Sequence, residues 1–290
     1  MRAADLAMYA AKADGKNRCR RFERAMLTGA LDRIELGSDL KVAVDNDELE
    51  LFYQPILDLT GGRIVGVEAL ARWTHPDRGP VAPDVFIALA ERKGLIVALG
   101  RRLVARACAE LPRLRDVLGE PALRLSVNLS TRELLEPGLP EAMTAAIAGA
   151  GLHPADITVE ITESGLMADV ERCAAVLHAL KGCGVEIALD DFGTGYSSLA
   201  YLRHFPVDAL KIDKAFMRQV AISGSEDRAL VRSIVALGTA LGLTVVAEGV
   251  EASEQAHAVR ALGCHLGQGY LYAAPMAPEC LAGALAGAAA

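Results

Sequence analysis

The 290-residue sequence has no apolar run that approaches the roughly 20 residues needed to span a bilayer. Its first residues do not form a signal peptide, and its six cysteines show no Cys-x-x-Cys spacing. Scattered cysteines of this kind favour reduced thiols over a disulfide framework. We therefore expect a cytoplasmic protein with no membrane segment in this chain.

The sequence also lacks an excess of positive charge. Its formal net charge is −7 at pH 7. Binding to DNA, RNA polymers or anionic membranes requires a basic surface, so these partners are not expected. Any phosphate that the protein binds should be held by a few local groups.

Hydrophobic residues make up 52% of the chain and charged residues 23%, which is typical of a globular protein with a large core. From about residue 49, strand-like runs alternate with longer segments at helical spacing, a pattern that predicts an α/β fold with a parallel sheet. A short turn, Thr60-Gly61-Gly62, joins the first two runs, so we expect the sheet to open with an antiparallel pair. The predicted strands are residues 49–59, 63–73, 123–130, 157–163, 185–191, 209–213, 243–250 and 266–272.

Several predicted strands are apolar on one face only, because side chains alternate between the two faces of a strand. Ile157, Val159 and Ile161 share one face, whereas Glu160 lies on the other. A parallel sheet covered by helices on both sides should be apolar on both faces. A closed barrel explains the difference, with the apolar face toward outer helices and the other face toward a lumen whose open end holds the site.

Residues that can bind a cation or a phosphate lie on the lumen face, at or near the end of each strand. They are Glu68, Asn128, Glu160, Asp190, Lys211, Glu248 and Gln268. Carboxylate and amide oxygens suit a hard cation such as Mg²⁺ or Mn²⁺, and the histidines and cysteines show no spacing typical of zinc sites. With Asp191 added, the set could hold two ions, the usual arrangement for cleavage of a phosphodiester.

Each of these residues alone has an ordinary alternative explanation. A single acid at a strand end is most often a helix cap or a solvated loop residue, and Lys211 could be a structural counter-ion for Glu160 or Asp213. Unrelated caps would not be expected on the same face at the end of strand after strand. The set as a whole therefore favours a functional site.

These motifs, in this order, resemble the EAL family of bacterial cyclic di-GMP phosphodiesterases over about residues 40–278. The resemblance implies a modified TIM (β/α)₈ barrel with an antiparallel first strand. It also implies metal-dependent hydrolysis of cyclic di-GMP to linear pGpG. The matching motifs are Tyr53-Gln54-Pro55-Ile56, Glu68-Ala69-Leu70, Arg72-Trp73, Asn128-Leu129-Ser130, Glu160-Ile161-Thr162-Glu163, Asp190-Asp191-Phe192-Gly193-Thr194-Gly195, Lys211-Ile212-Asp213, Glu248-Gly249-Val250-Glu251 and Gln268-Gly269-Tyr270.

The resemblance assigns a role to each matching residue. The ligands of two ions, Mg²⁺ or Mn²⁺, would be Glu68, Asn128, Glu160, Asp190, Asp191 and Glu248. The catalytic residues would be Glu68, Lys211, Glu248 and Gln268. The dinucleotide would contact Gln54, Arg72 and Asp213. Glu163 would anchor the loop 192–199, which in the family couples dimerisation to metal binding, so a homodimer is expected.

The resemblance also suggests how the chain is organised. Residues 1–24 resemble the end of a GGDEF diguanylate cyclase domain without its signature loop, so we expect a remnant with no cyclase activity. Residues 25–45 are predicted to form a linker helix, and residues 46–285 the EAL domain. His265 stands where many relatives have an acid, a difference expected to affect rate or metal preference rather than function.

Two other classes of function compete with an enzyme. A receptor of the same fold would bind the nucleotide without cutting it, but such receptors usually lack one or more metal ligands, and none is lacking here. A scaffold that works through its dimer surface would leave the set of acids unexplained.

Overall fold

The computed structural model of the protein describes residues 24–194 and 202–286. These residues divide into two compact units. The first contains the described residues up to Leu49 together with Trp73–Leu99, and the second contains Glu50–Arg72 and the described residues from Gly100 onward. The predicted remnant at residues 1–24 lies outside the described residues apart from Arg24, and it stays a prediction.

Eight strands of the second unit close into a barrel. Their order is β1-β2-β4-β5-β6-β7-β8-β9, with β9 pairing back to β1. Strand β1 is antiparallel to both of its neighbours, and the other pairings in the ring are parallel. The prediction of a modified (β/α)₈ barrel with an antiparallel first strand is confirmed. The strands are β1 (Glu50–Asp58), β2 (Ile64–His75), β3 (Gly79–Val81), β4 (Arg124–Asn128), β5 (Ile157–Thr162), β6 (Glu186–Phe192), β7 (Ala209–Ile212), β8 (Thr244–Ala247) and β9 (Leu266–Gly267).

Two of the predicted strands are much shorter than expected. The run 243–250 forms a strand only at β8, and the run 266–272 only at the two residues of β9. The residues that follow β8 and β9 pair with each other instead, because Val250 donates a backbone hydrogen bond to Gln268 and Leu271 donates one to Val250. The segments that follow β8 and β9 are therefore loops held together by backbone hydrogen bonds rather than by a strand ladder.

The hairpin between β1 and β2 follows from the residues predicted to form the turn. The Asp58 carboxylate accepts hydrogen bonds from the backbone N–H groups of Thr60 and Gly61, both at 3.0 Å. These two bonds hold the pKa of Asp58 below its ordinary value. Gly62 then adopts φ +69°, a left-handed conformation that glycine tolerates best.

The apolar faces of the strands form the core between the barrel and its helices, as predicted. Ile157 and Val159 are fully buried, and Ile161 is 1% exposed. The helices of the described part are α1 (Arg24–Asp45), α2 (Pro83–Lys93), α3 (Ile96–Leu118), α4 (Thr131–Leu134), α5 (Leu139–Gly149), α6 (Glu163–Leu166), α7 (Val170–Gly182), α8 (Glu226–Leu241), α9 (Ser253–Leu262) and α10 (Pro278–Ala286), with short 3₁₀ turns at Pro154–Asp156 and Lys214–Met217.

The first unit contains a strand that sequence patterning missed. The three residues of β3 pair with Trp73–His75 at the end of β2. The Trp73 ring packs edge-on against Phe86 and His75, and His75 Nε2 lies 3.1 Å from Asp39 on α1. A three-residue strand shows too little periodicity to be recognised from sequence. The predicted helix at residues 25–45 is present as α1, and its role as a linker stays a prediction.

Among the described residues, no helix combines the length and the apolar composition that crossing a bilayer requires. The cysteines of the described part, from Cys108 to Cys280, are all free thiols. Cys108, Cys173 and Cys264 are buried, where they act as small apolar side chains.

Candidate active site

The carboxyl ends of the parallel strands meet at one end of the barrel, and the polar lumen residues lie there. The strand register places these residues at similar heights in the barrel. Glu68 on β2 pairs with Ser126 on β4, and Asn128 on β4 pairs with Glu160 on β5. Because β1 runs antiparallel, its amino end reaches the same mouth, and Gln54 pairs with Glu68. The predicted site residues all belong to the second unit.

Lys211 is the centre of this group of acids. Its side chain is only 2% exposed. The ammonium group contacts Glu160 directly and lies 2.6 Å from Glu248 Oε1, with Glu68 and Asp190 at 3.6 and 3.7 Å. Burial lowers the pKa of Lys211, but the surrounding carboxylates outweigh it and raise the pKa well above its ordinary value. Lys211 is therefore a cation in contact with Glu160, the structural role that the sequence left open. Burial nevertheless raises the pKa of Glu160 well above its ordinary value.

Glu68 is held by two amide side chains. It accepts hydrogen bonds from Asn128 Nδ2 at 2.7 Å and from Gln268 Nε2 at 2.6 Å. Gln268 also donates to Gln54 Oε1 at 3.0 Å, and Gln54 in turn donates to the Ala273 carbonyl. Burial raises the pKa of Glu68, but Lys211 and these amide donors bring it below its ordinary value. Glu68 is thus an anion with a fixed orientation.

Asp190 and Asp191 lie where β6 departs from regular geometry. The β6–β7 register shifts between Leu189 and Phe192, and Asp191 adopts φ +53°. Its backbone N–H donates to Asp190 Oδ1 at 2.8 Å. Two consecutive side chains of a regular strand point to opposite faces, so this bulge is what allows both carboxylates to face the mouth.

Asp190, Asp191 and Glu248 form a group that could hold a metal ion. One oxygen from each of them lies within 4.8 Å of the others. Burial and the neighbouring charge of Asp190 raise the pKa of Asp191 to about 6, and burial with the nearby acids raises that of Glu248 to about 8. These pKa values indicate an excess of negative charge that a cation would relieve. An all-oxygen donor set fits a hard divalent ion such as Mg²⁺ or Mn²⁺.

The predicted loop anchor contacts the start of its loop. Glu163, at the first turn of α6, is buried, and its Oε2 accepts a hydrogen bond from the Gly193 N–H at 3.3 Å. Phe192 to Thr194 belong to the described residues, whereas residues 195–199 of the predicted loop lie outside them. Asp213 shares a side-chain hydrogen bond with Asp191 and accepts one from the Ala215 N–H at 2.7 Å. Asp213 therefore lies beside the ligand group, and the contact with the dinucleotide predicted for it stays a prediction.

Arg72 lies four residues beyond Glu68 on β2, on the same face of the strand and nearer its carboxyl end. Its guanidinium donates to the Ala71 carbonyl at 2.8 Å and lies over the Phe52 ring, with Cζ 5.4 Å from the ring centroid. Burial lowers the pKa of Arg72, although not enough to discharge a guanidinium. Arg72 is partly exposed and available to an anionic or aromatic ligand.

His265 lies at the opposite end of the barrel from these acids. Its Nδ1 accepts a hydrogen bond from the backbone N–H of Val245 at 2.9 Å, near the start of β8. The residue therefore extends the pairing between β8 and β9 at their amino ends. This position gives His265 a structural role, and its influence on rate or metal preference stays a prediction.

Two aromatic residues outside the predicted set contact it. Phe52 supports Arg72, and Phe216 lies against Gly193, where an added Cβ would be 3.1 Å from the ring. The spacing of Phe52 and Gln54, two residues apart on β1, is a signal that could have placed both on the lumen face. No local pattern identifies Phe216, because its contact with Gly193 depends on tertiary packing.

The fold and the site together define a class: a modified (β/α)₈ barrel with an acidic group at its carboxyl mouth that could bind a hard metal ion. Within that class the chain belongs to the EAL family, since the family model described as the EAL domain matches residues 38–275. The family expectation is confirmed over most of the chain.

Two curated relatives come from Pseudomonas aeruginosa. MucR, a bifunctional diguanylate cyclase/cyclic di-GMP phosphodiesterase, is 41% identical over 283 residues, which cover 98% of this chain and 41% of MucR. NbdA, a cyclic di-GMP phosphodiesterase, is 40% identical over 273 residues, which cover 94% of this chain and 35% of NbdA. The chain therefore spans less than half the length of these relatives.

Solved structures agree with this assignment. The PaMucR phosphodiesterase in complex with c-di-GMP has a TM-score of 0.80 and 41% identity, covering 85% of this chain and 99% of that chain. The EAL enzyme Bd1971, bound to cAMP and cyclic di-GMP, has a TM-score of 0.82 and 33% identity, covering 90% of this chain and 72% of that chain.

Proposed function

We propose that this chain is a metal-dependent phosphodiesterase that hydrolyses cyclic di-GMP to linear pGpG. The observation that carries the proposal is the group formed by Asp190, Asp191 and Glu248 beside a buried Lys211. Barrel enzymes react at this carboxyl mouth. The names of MucR and NbdA include the same activity, which supports the choice of substrate.

Two bound cations would supply Lewis acidity, lowering the pKa of a water and stabilising charge on the phosphate. Asp190, Asp191 and Glu248 are the candidate ligands for one of them. Glu68, Asn128, Glu160 and Asp190 are the candidates for the other. Binding of a cation by this second set requires the side chains to rearrange, because the Lys211 ammonium already lies between Glu68, Glu160 and Asp190.

Lys211 would hold the attacking water by donating a hydrogen bond to its oxygen. The ammonium group cannot accept the proton of that water while it is itself protonated, so Lys211 acts by position and charge rather than as a base. Glu248 lies beside Lys211 and would bind its cation as a carboxylate, because a metal ion replaces the proton that a pKa of about 8 retains without metal. Gln268 fixes Glu68 through its amide, and Arg72 would contact the dinucleotide.

A receptor that binds the nucleotide without cutting it is the alternative function. A receptor of this kind would need neither Glu248 nor the buried Lys211. Both are present in the site, 2.6 Å apart, which favours the enzyme. Homodimerisation and a cytoplasmic location complete the proposal, and both are expectations from the family and the sequence.

The direct test is incubation of the purified chain with cyclic di-GMP and Mg²⁺ or Mn²⁺, with chromatography to detect pGpG. We expect pGpG in at least one metal and none in EDTA. Tight binding of the nucleotide with no product in either metal would identify a receptor instead. Sedimentation of the same sample measures whether the active species is a dimer.

A first prediction concerns Glu68→Ala. We expect kcat to fall at least about a hundredfold, because the substitution removes a metal ligand and releases Asn128 and Gln268 from their acceptor. Circular dichroism and thermal unfolding should show a folded barrel. The matched control is Glu186→Ala, which removes a glutamate from the amino end of β6, where Glu186 pairs with Arg124 at 2.6 Å. This control should keep kcat, and unfolding of the Glu68 variant would show that Glu68 is structural.

A further inference from the structure

The mouth of the barrel carries an aromatic ring that the proposed chemistry does not use. Phe52 pairs with Leu70 and Gln54 pairs with Glu68 across the β1–β2 hairpin. Phe52 therefore shares the lumen face with Gln54 and lies one step closer to the mouth. Its side chain is partly exposed, although an aromatic ring at a strand position normally packs into the core.

The ring is covered on one side by a cation. The Arg72 guanidinium lies over Phe52 with Cζ 5.4 Å from the centroid, within the range of a cation–π contact. One guanidinium nitrogen also donates to the Ala71 carbonyl at 2.8 Å. The ring and this hydrogen bond hold a long, flexible side chain in one orientation, with the outer face of the guanidinium turned away from Phe52.

The outer face of a guanidinium plane is suited to a nucleobase. A purine offers a flat π surface, and arginine planes and aromatic rings are common stacking surfaces for bases. A phosphate would need only the charge of Arg72, which does not require an aromatic support. A purine gains from a guanidinium whose plane is already fixed.

We propose that Phe52 is a positioning residue that holds the Arg72 guanidinium as a flat platform for one guanine base of the dinucleotide. This inference rests on the proposed function, because it names how that substrate is recognised. Phe52 acts through Arg72, so its contribution belongs to substrate binding and not to the metal site. The prediction is a change in KM without a change in kcat.

The experiment compares Phe52→Leu with Phe52→Tyr. Leucine keeps the apolar bulk but lacks a π face, whereas tyrosine keeps the π face. Steady-state kinetics with cyclic di-GMP should show that KM of Phe52→Leu rises about tenfold. Its kcat and Mg²⁺ affinity should stay within about twofold of the values for the parent chain. Phe52→Tyr should keep the KM of the parent chain.

A double-mutant cycle isolates the route through Arg72. In an Arg72→Ala background, Phe52→Leu should change KM by less than about twofold, because the group that it positions is gone. Additive effects of the two substitutions would overturn the proposal. So would a normal KM for Phe52→Leu, or a loss confined to kcat.

Equilibrium binding separates this inference from the proposed function. Calorimetry with cyclic di-GMP in EDTA measures affinity without turnover, and Phe52→Leu should weaken it about tenfold there as well. If the parent chain binds the dinucleotide but releases no pGpG, the phosphodiesterase proposal fails while the platform is still tested. If the parent chain and Phe52→Leu bind cyclic di-GMP equally in EDTA, Phe52 does not position Arg72 for the base, whether or not the chain releases pGpG.

Discussion

Lys211 is the residue on which the charge balance of the site depends. A buried ammonium surrounded by Glu160, Glu248, Glu68 and Asp190 neutralises part of a set of carboxylates that could not otherwise be ionised together. A side chain with this role stabilises the metal-free fold, and in the proposed mechanism it also holds charge next to the attacking water. The proposed function therefore links stability and catalysis at one residue.

We predict that Lys211→Met lowers the free energy of unfolding by about 3–5 kcal/mol in EDTA, because it leaves buried carboxylates without a counter-ion. Mg²⁺ should restore part of this loss by supplying positive charge. Urea denaturation with EDTA and with Mg²⁺ measures both effects.

Lys181→Met provides the matched control for that variant. Lys181 forms a partly exposed ion pair with Asp208 at 2.5 Å, so its loss should cost about 1 kcal/mol or less with no dependence on Mg²⁺. An equal cost for the two variants in EDTA would mean that the acids around Lys211 are neutralised by protons instead.

The raised pKa values of Asp191, about 6, and Glu248, about 8, give the site a defined pH dependence. Their ordinary values are 3.8 and 4.5, so between about pH 4 and pH 8 these two groups bind more protons in the folded metal-free protein than in the unfolded chain. Stability without metal should therefore decrease as pH rises through this window. A cation removes the penalty because it replaces those protons.

We predict that Mg²⁺ affinity increases at least about tenfold between about pH 6 and about pH 8.5, with release of protons on binding. Calorimetry in two buffers of different ionisation enthalpy measures the affinity and the proton count together. Affinity that is constant across this range would contradict the assignment of Asp191 and Glu248 as ligands.

At the scale of the element, β6 and the turn after it decide how the ligands are presented. The bulge turns Asp191 toward the mouth, and Gly193 follows at φ +97°. Gly193 donates to Glu163, and an added Cβ would lie 3.1 Å from Phe216 Cε2 and 3.3 Å from Ile234 Cδ1. The backbone after Asp191 is therefore fixed from two sides.

We predict that Gly193→Ala lowers kcat about tenfold or more and weakens Mg²⁺ binding, because the chain must move away from Phe216 and loses the hydrogen bond to Glu163. Kinetics as a function of Mg²⁺ concentration measures both effects.

Gly62→Ala is the control for backbone strain. Gly62 has φ +69° with nothing within 4 Å of an added Cβ, so alanine there should cost about 1 kcal/mol of stability and leave kcat unchanged. If Gly193→Ala behaves in the same way as this control, the turn does not position Asp191.

At the scale of the whole molecule, the net charge of −7 limits how an anionic substrate is recognised. Under the proposed function, binding of cyclic di-GMP should depend on a few local cations rather than on a broad basic field. We predict that KM for cyclic di-GMP changes by less than about twofold between about 50 and about 300 mM KCl, and that DNA and RNA oligonucleotides do not compete. Inhibition assays with both oligonucleotides measure this. A steep rise of KM with salt would reveal a basic surface that the composition does not indicate.

The barrel could be predicted from sequence because its signals are local and repeated. Alternation such as Ile157, Val159 and Ile161 states which face of a strand is buried, and Thr60-Gly61-Gly62 specifies the antiparallel hairpin. The end of β8 and the strand β3 could not be predicted. Val250 is as buried as Val245 on β8 although it belongs to a loop, and the three residues of β3 carry too little periodicity.

The candidate site divides in the same way. The sequence by itself determined which residue types stand at the strand ends, because strand periodicity and residue chemistry are properties of the local chain. It also placed Asp190 and Asp191 side by side. Only the tertiary structure decided that a bulge turns both toward the mouth, that Lys211 lies among four acids, that His265 lies at the far end, and that Phe52 supports Arg72. These are distances between residues far apart in the chain, which are fixed only when the barrel closes.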